Sequence, residues 1–449
     1  MKNLEFKFED FTASDFINNA IENKVSVVET TKYFLERCKN DKKNALLEVF
    51  EKDALKRAEE LSHKTIRGKL FGLPVIIKDN ILYKGHISSA ASKMLEDFIS
   101  PYNSTVVQKL LDEDAIILGR SNMDEFAMGT TGSNSAFGIT KNGTDDNLVS
   151  GGSSSGSASA LASGLCLAAL GTDTGGSVRL PAAWNKLVGF KPTYGSISRY
   201  GLIAFASSIE QCGIFTKNVT DLSLLYSVLS GKDENDASSV CYVHDTHKML
   251  CPTPKIGRIK EITYPKEYQP FLKDTVEISI PNLSLSLAGY YTVATAEAAS
   301  NLDRFDGVKY GSTVKDAESV GDLYTNVRTK YFGTEVKRRI ITGNYNLSNE
   351  NYDIYKMGTA VIRDLKKTFE KVFQNVDAIL LPTASIPPVK LHEDMTDPLK
   401  LYNMDLYTVT ANVTGIPSVT LPVLPTGLQI LAARGNDYLL FNIARRFEK

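Results

Sequence analysis

The chain has 449 residues, 43% of them hydrophobic, which is enough to bury a large core. Its 51 basic and 52 acidic side chains leave a formal net charge of -1, which excludes a surface built throughout to hold nucleic acid but leaves room for a local basic face. No apolar run approaches the roughly 20 residues of a membrane-spanning helix, so no membrane association is expected.

The N-terminus, Met1-Lys2-Asn3-Leu4-Glu5-Phe6, has neither the apolar core of a secretory signal nor the Arg-rich character of a transit peptide. Residues 1–65 read as a helical region. Ser26 and Glu29 have the spacing of a capping box, and apolar residues follow at helical intervals through Tyr33, Phe34 and Cys38. A short β-branched run at 73–77 then predicts a buried strand that delivers Lys78 at its C-terminal end. Further core strands are expected at 115–119 and 165–170. Between 230 and 280 the pattern weakens into an irregular peripheral insert. Strands return at 377–382, 418–423 and 427–432, followed by a final helix from 436. Strands alternating with helices on both sides of the insert predict an α/β fold: one domain over 1–449, with a central mixed sheet covered by helices on both faces. The five cysteines, Cys38, Cys166, Cys212, Cys241 and Cys251, are odd in number and scattered, and read as reduced thiols.

The chemistry concentrates between 150 and 179. The stretch Ser150-Gly151-Gly152-Ser153-Ser154-Ser155-Gly156-Ser157 has the composition of a flexible linker, but a small-residue helix and an apolar strand follow it at once. A phosphate loop fails, because no Gly-Lys-Ser/Thr follows. Gly152 to Gly156 fits G-x-S-x-G, which would make Ser154 a hydrolase nucleophile. That reading needs a strand directly before the motif and a suitable downstream histidine, and neither is evident. The second segment, Asp173-Thr174-Gly175-Gly176-Ser177, follows a strand, and its glycines permit successive backbone N–H groups to form an anion-binding nest. Ser177 on that turn needs a base to act as a nucleophile. Lys78 can serve if burial leaves its amine neutral; alternatively it pairs with Asp79 in a solvated turn.

Taken together, Ile77-Lys78-Asp79-Asn80, the 121–129 stretch, the two Gly-Ser segments and the stretches 189–195, 200–208, 297–302, 306–311 and 335–339 resemble the amidase signature family. Within it they resemble the branch of glutamine-hydrolysing amidotransferase subunits, over nearly the whole chain. The resemblance implies a triad in which Ser177 attacks a carboxamide and Ser153, preceded by a cis peptide bond, relays the proton to Lys78. It also implies an oxyanion hole from the amides of Thr174, Gly175, Gly176 and Ser177, and a substrate grip from Tyr290, Arg339 and Asp405. A guanidinium suits an α-carboxylate and a carboxylate suits an α-ammonium, whereas the plain readings are a helix-surface arginine and a loop aspartate. The implied activity is hydrolysis of glutamine through a seryl acyl-enzyme. Ammonia would pass to a B-type kinase/transamidase subunit that amidates glutamyl-tRNA, with a small third subunit in the complex and tRNA held mainly by the partner. No cofactor is expected on this chain; ATP and Mg are expected on the partner subunit. The alternatives are a free-standing amidase for another carboxamide and a non-catalytic assembly subunit.

Three features fall outside that pattern. The family has glycine where this chain has Ser155, which would strain the backbone if the position requires positive φ. Cys241, His244, His247 and Cys251 form a C-x2-H-x2-H-x3-C array with zinc-ligand chemistry but unusual spacing. The 230–280 insert is short, with a helix expected to be missing near 255–275, which points to a mitochondrial matrix form over a bacterial cytoplasmic one.

Overall fold

The computed structural model describes residues 7–242, 253–393 and 397–448. Within them lie the strands β1 (Leu46–Val49), β2 (Pro74–Lys78), β3 (Ile116–Ser121), β4 (Ala168–Asp173), β5 (Val188–Lys191), β6 (Gln211–Thr216), β7 (Ile256–Ile259), β8 (Val276–Ile278), β9 (Ala378–Pro382), β10 (Ser418–Leu421) and β11 (Leu428–Ala432). They form one eleven-stranded sheet in the order β1-β3-β2-β4-β6-β5-β10-β11-β9-β7-β8. Pairing is mixed: β2 runs parallel to β3 and β4, β7 runs parallel to β8 and β9, and the remaining neighbours are antiparallel. Every residue of β2, β3, β4, β5, β6, β9, β10 and β11 is buried, as a sheet covered on both faces requires. Along β9 the two faces separate with the period of a strand. Ala378 and Leu380 join the main core, while Ile379 and Leu381 join a second cluster with Phe369 and Ala411. The expected α/β class, central mixed sheet and helical cover are all present, and the C-terminal strands lie in the same sheet as the N-terminal ones.

Several expectations are corrected. Residues 1–65 carry the helices Ala13–Ile21, Val27–Lys39 and Glu51–Ser62, but β1 interrupts them and pairs antiparallel with β3. Ser26 caps the second helix by accepting the Glu29 amide at 3.3 Å, whereas the reciprocal capping box belongs to Thr12 and Asp15. The strand expected at 165–170 begins at Ala168, because the Leu165 amide still closes the preceding helix onto the Ala160 carbonyl at 2.8 Å. The 230–280 insert is not merely irregular: it supplies β7 and β8 to the sheet and carries short helical turns at Lys266–Tyr268 and Gln269–Leu272. The final helix is Asp437–Phe447.

The topology places the ends of two parallel strands side by side. Val75, Ile76 and Ile77 of β2 stand opposite Ala168, Ala169 and Leu170 of β4, so Lys78 and Thr172 emerge together at the carboxyl ends. Beyond β4 the neighbouring pairing turns antiparallel. A crevice at the carboxyl ends of strands, where the topology changes, is where open α/β sheets hold ligands. The helix Ser155–Ala162 packs beneath this crevice, and its small residues allow that approach. A Cβ on Gly156 would lie 2.2 Å from the Ala45 carbonyl oxygen and 2.5 Å from the Asn122 amide nitrogen.

Ser155 opens that helix with an ordinary negative φ, so the position makes no demand for glycine. Its hydroxyl donates to Thr140 Oγ1 at 3.2 Å. Ser155→Gly is therefore expected to lower stability by about 0.5–1.5 kcal/mol, through lost helix propensity and one hydrogen bond, in a urea titration.

Candidate active site

Lys78 is fully buried at the end of β2. Its Nζ lies 2.7 Å from Ser153 Oγ, 2.9 Å from Thr172 Oγ1 and 3.4 Å from the Thr172 carbonyl oxygen. Asn80 Nδ2 donates to the same Thr172 hydroxyl at 3.1 Å. Burial away from water pushes the lysine down to about 7, against the upward pull of the Asp124, Asp173 and Glu210 carboxylates. The alternative pairing with Asp79 does not occur. That carboxylate is turned to Arg120 Nη1 at 2.6 Å and takes the Ser89 hydroxyl at 2.5 Å and the Ala91 amide at 2.8 Å. A neutral amine offers two protons and one lone pair. Nζ donates to Ser153 Oγ in this structure, and in the neutral amine its lone pair can accept the Ser153 hydroxyl proton instead.

Ser153 is fully buried and follows a cis peptide bond from Gly152. Its carbonyl accepts the Asp124 amide at 3.1 Å. The buried Asp124 carboxylate accepts the Gly132 and Asn134 amides at 3.0 and 2.9 Å, which fixes the 129–134 loop against the Gly-Ser segment; burial raises its pKa to about 6. Ser154 is set aside by its surroundings. It stands just before the helix below without a side-chain cap bond, its Oγ donates to the Thr172 carbonyl at 3.2 Å and accepts the Thr172 amide at 3.3 Å, and no strand directly precedes it. Its amide donates to the Ser177 carbonyl at 3.1 Å, which ties the two Gly-Ser segments together.

Ser177 lies on the turn after β4. It is 8% exposed, whereas Lys78 and Ser153 are at 0%, so it is the least enclosed of the three. Asp173 builds this turn. Its carboxylate accepts the Gly176 amide at 2.9 Å, the Val178 amide at 3.2 Å, Arg179 Nε at 3.0 Å, Arg179 Nη2 at 2.8 Å and Asn412 Nδ2 at 2.9 Å. Burial works to raise the Asp173 pKa, but the Arg179 guanidinium and the hydrogen bonds from Arg179 and Asn412 outweigh it and hold the group at about 2. Of the four amides that the resemblance assigns to an oxyanion hole, that of Gly176 donates to Asp173 in this structure. Gly175 must be glycine, because a Cβ there would lie 2.5 Å from the Tyr290 hydroxyl.

Three further buried polar side chains lie close to one another and to this turn. Tyr290 comes from the helix Leu285–Leu302, Arg339 from the helix Thr334–Leu347, and Asp405 from the segment after the helix Pro398–Asn403. Arg339 is not a surface residue; its neighbour Arg338 takes that place, with 39% of its side chain exposed against 4%. Burial opposes the charge on Arg339, but Glu335, which accepts its Nε at 2.8 Å, keeps it firmly protonated. Asp405 accepts Thr130 Oγ1 at 3.1 Å, and burial pushes it up to about 7. One fixed cation and one anion whose charge a ligand ammonium would stabilise suit an α-amino acid.

Sequence reasoning passed over Thr172, Asn80, Asp173, Arg179 and Asn412 as parts of the site. Asp173 and Thr172 sat inside the segment already singled out. Asn412 lies 239 residues from Asp173, and nothing local marks it. Of the array Cys241, His244, His247 and Cys251, all but Cys241 lie outside the described residues, and among the described residues no cluster of potential metal ligands occurs. No helix of the described residues is long and apolar enough to cross a membrane.

The sequence model of the family Amidase matches residues 29–441. The chain is 44% identical over 459 aligned positions to the A-type subunit of glutamyl-tRNA(Gln) amidotransferase from Thermoanaerobacter pseudethanolicus, covering 95% of this chain and 93% of the relative. It is 43% identical to the protein of the same name from Chlorobium limicola, covering 92% and 94%. The crystal structure of the same A-type subunit from Thermotoga maritima superposes with a TM-score of 0.79 at 33% identity, over 99% of this chain and 95% of that one. The chain belongs to the amidase family and has the single-domain amidase fold.

Asp173→Asn would leave the buried Arg179 without its counter-charge and is expected to cost about 3–5 kcal/mol in denaturant unfolding. Because the folded-state pKa of Asp173 is depressed from 3.8 to about 2, its contribution is present above pH 3.8 and lost as pH falls toward 2. The acid limb of the stability profile should flatten in the variant.

Proposed function

We propose that this chain is the glutaminase subunit of a glutamyl-tRNA(Gln) amidotransferase. The observation that carries the reading is the buried Lys78–Ser153 contact of 2.7 Å, with the buried Tyr290, Arg339 and Asp405 gathered near the Ser177 turn. The names of the relatives reported above support the same assignment.

Glutamine would enter with its α-carboxylate on Arg339, its α-ammonium on Asp405 and its side-chain amide over Ser177. Neutral Lys78 takes the proton of Ser153 as Ser153 takes that of Ser177, and the Ser177 oxygen attacks the amide carbon. The developing oxyanion is held by free amides of the 174–177 turn. Collapse breaks the C–N bond, the proton returns through Ser153 to the leaving nitrogen, and ammonia departs from a γ-glutamyl ester on Ser177. Water then attacks the ester by the same relay, giving glutamate and the free serine. Ammonia would pass to a B-type kinase/transamidase partner. That partner, with ATP and Mg, would amidate glutamyl-tRNA; a small third subunit completes the assembly, and this chain binds neither cofactor. The relatives reported above are bacterial, which favours a cytoplasmic setting. The short insert is what the mitochondrial matrix alternative rests on, and cell fractionation decides between them.

Ser177→Ala is expected to abolish glutamine-dependent formation of Gln-tRNA while sparing the ammonia-dependent reaction of the assembled complex. Loss of both activities in an intact complex would overturn the assignment. Catalysis needs Lys78 unprotonated, and its pKa is near 7. In a pH–rate series, kcat/KM for glutamine should therefore fall about tenfold per pH unit below that value and level off above it. A limb that instead rises toward acid would exclude lysine as the base.

A further inference from the structure

The two charged groups proposed to grip the donor amino acid come from segments far apart in the chain, and the structure links them through residues that belong neither to the triad nor to the grip. Arg339 is enclosed by three rings, with its guanidinium carbon 5.4 Å from the ring centre of Phe205, 5.5 Å from that of Tyr291 and 5.6 Å from that of Tyr402. Glu335, one helical turn before it, uses a single oxygen for two bonds: Oε1 accepts Arg339 Nε at 2.8 Å and the Tyr402 hydroxyl at 3.2 Å. Tyr402 stacks on Tyr291 with ring centres 4.1 Å apart and an interplanar angle of 29°. The Tyr291 hydroxyl lies 3.4 Å from Asp405 Oδ2, and the Asp405 amide donates to the Tyr402 carbonyl at 3.2 Å. The path from Arg339 through Glu335, Tyr402 and Tyr291 to Asp405 is therefore continuous.

Arginine has a long, flexible stem. A guanidinium free to swing grips any anion, whereas one held at Nε presents a fixed edge to a planar carboxylate. We infer that Glu335 and Tyr402 are positioning residues that fix the Arg339 guanidinium at a set separation from Asp405, so that the site selects donors carrying both an α-carboxylate and an α-ammonium. This rests on the glutamine reading above and adds the device that enforces it. The Tyr402 hydroxyl joins the segment bearing Asp405 to the helix bearing Arg339. The Tyr402 ring supplies the stack and the cation contact independently of that hydroxyl.

Tyr402→Phe separates the two contributions, since it keeps the ring and removes only the bond to Glu335. The test is steady-state amide hydrolysis by the assembled complex, using glutamine and 4-aminobutanamide, which is glutamine without its α-carboxylate. The expected result is a KM for glutamine raised about tenfold with kcat changed less than about twofold, and kcat/KM for 4-aminobutanamide unchanged within about twofold. Glu335→Gln, which keeps the shape and weakens the acceptor, should move glutamine in the same direction. An unchanged glutamine KM in both variants overturns the inference, as does an equal loss on both donors, which a merely structural role would produce. Arg339→Lys tests the reading beneath it. If that variant discriminates between the two donors as well as the parent does, the glutamine grip itself is misassigned, whatever Tyr402→Phe does.

Discussion

Everything at this site depends on one amine being buried without a counter-ion. Water would keep Lys78 protonated at neutral pH, and a neighbouring carboxylate would do so more firmly. The fold denies it both. The lysine ends a strand enclosed between two parallel neighbours, and the adjacent Asp79 is drawn off by Arg120 and by hydrogen bonds from the 89–91 turn. What remains around Nζ is a set of hydroxyl and carbonyl oxygens, which orient the amine without charging it.

The same logic runs in reverse at Asp173, one residue beyond Thr172. Here a buried charge is wanted, and it receives a bidentate arginine, an asparagine and three backbone amides. Arg179 in turn reaches the Thr408 carbonyl at 2.8 Å and Gln429 Oε1 at 2.5 Å, so the Ser177 turn is braced against the C-terminal strands. Breaking a buried pair of this kind is costly because the survivor is left charged in a poorly solvating interior. Two neighbouring carboxylates, Asp79 and Asp173, are thus paired with arginines, and the lysine between them is left without a directly bonded carboxylate.

How much of this could be read from the chain depends on whether the information is local. The run ending at Lys78, the turn at 173–177 and the C-terminal strands β9, β10 and β11 carry local signals: β-branched runs, paired glycines and punctuating turns. The strands β1, β5, β6, β7 and β8 do not. Val188–Lys191 and Leu46–Val49 are four residues each, too short for alternation to register, and they become strands because long-range partners complete their hydrogen bonds. The amide of Gly176 looked available in the sequence only because nothing there shows that the Asp173 carboxylate folds back onto it.

The sequence by itself determined the fold class and the family and offered the candidate reactive groups, because spacing within a short motif survives without knowledge of the rest. The tertiary structure decided the states of those groups: that Lys78 faces Ser153 and not Asp79, that Ser154 is tied to the Thr172 backbone, that Ser155 is unstrained, and that Arg339 is buried beside Glu335 while Arg338 is not. Such states depend on desolvation and on partners contributed from distant segments. Both arise only when the sheet brings strand ends together and the helices close over them.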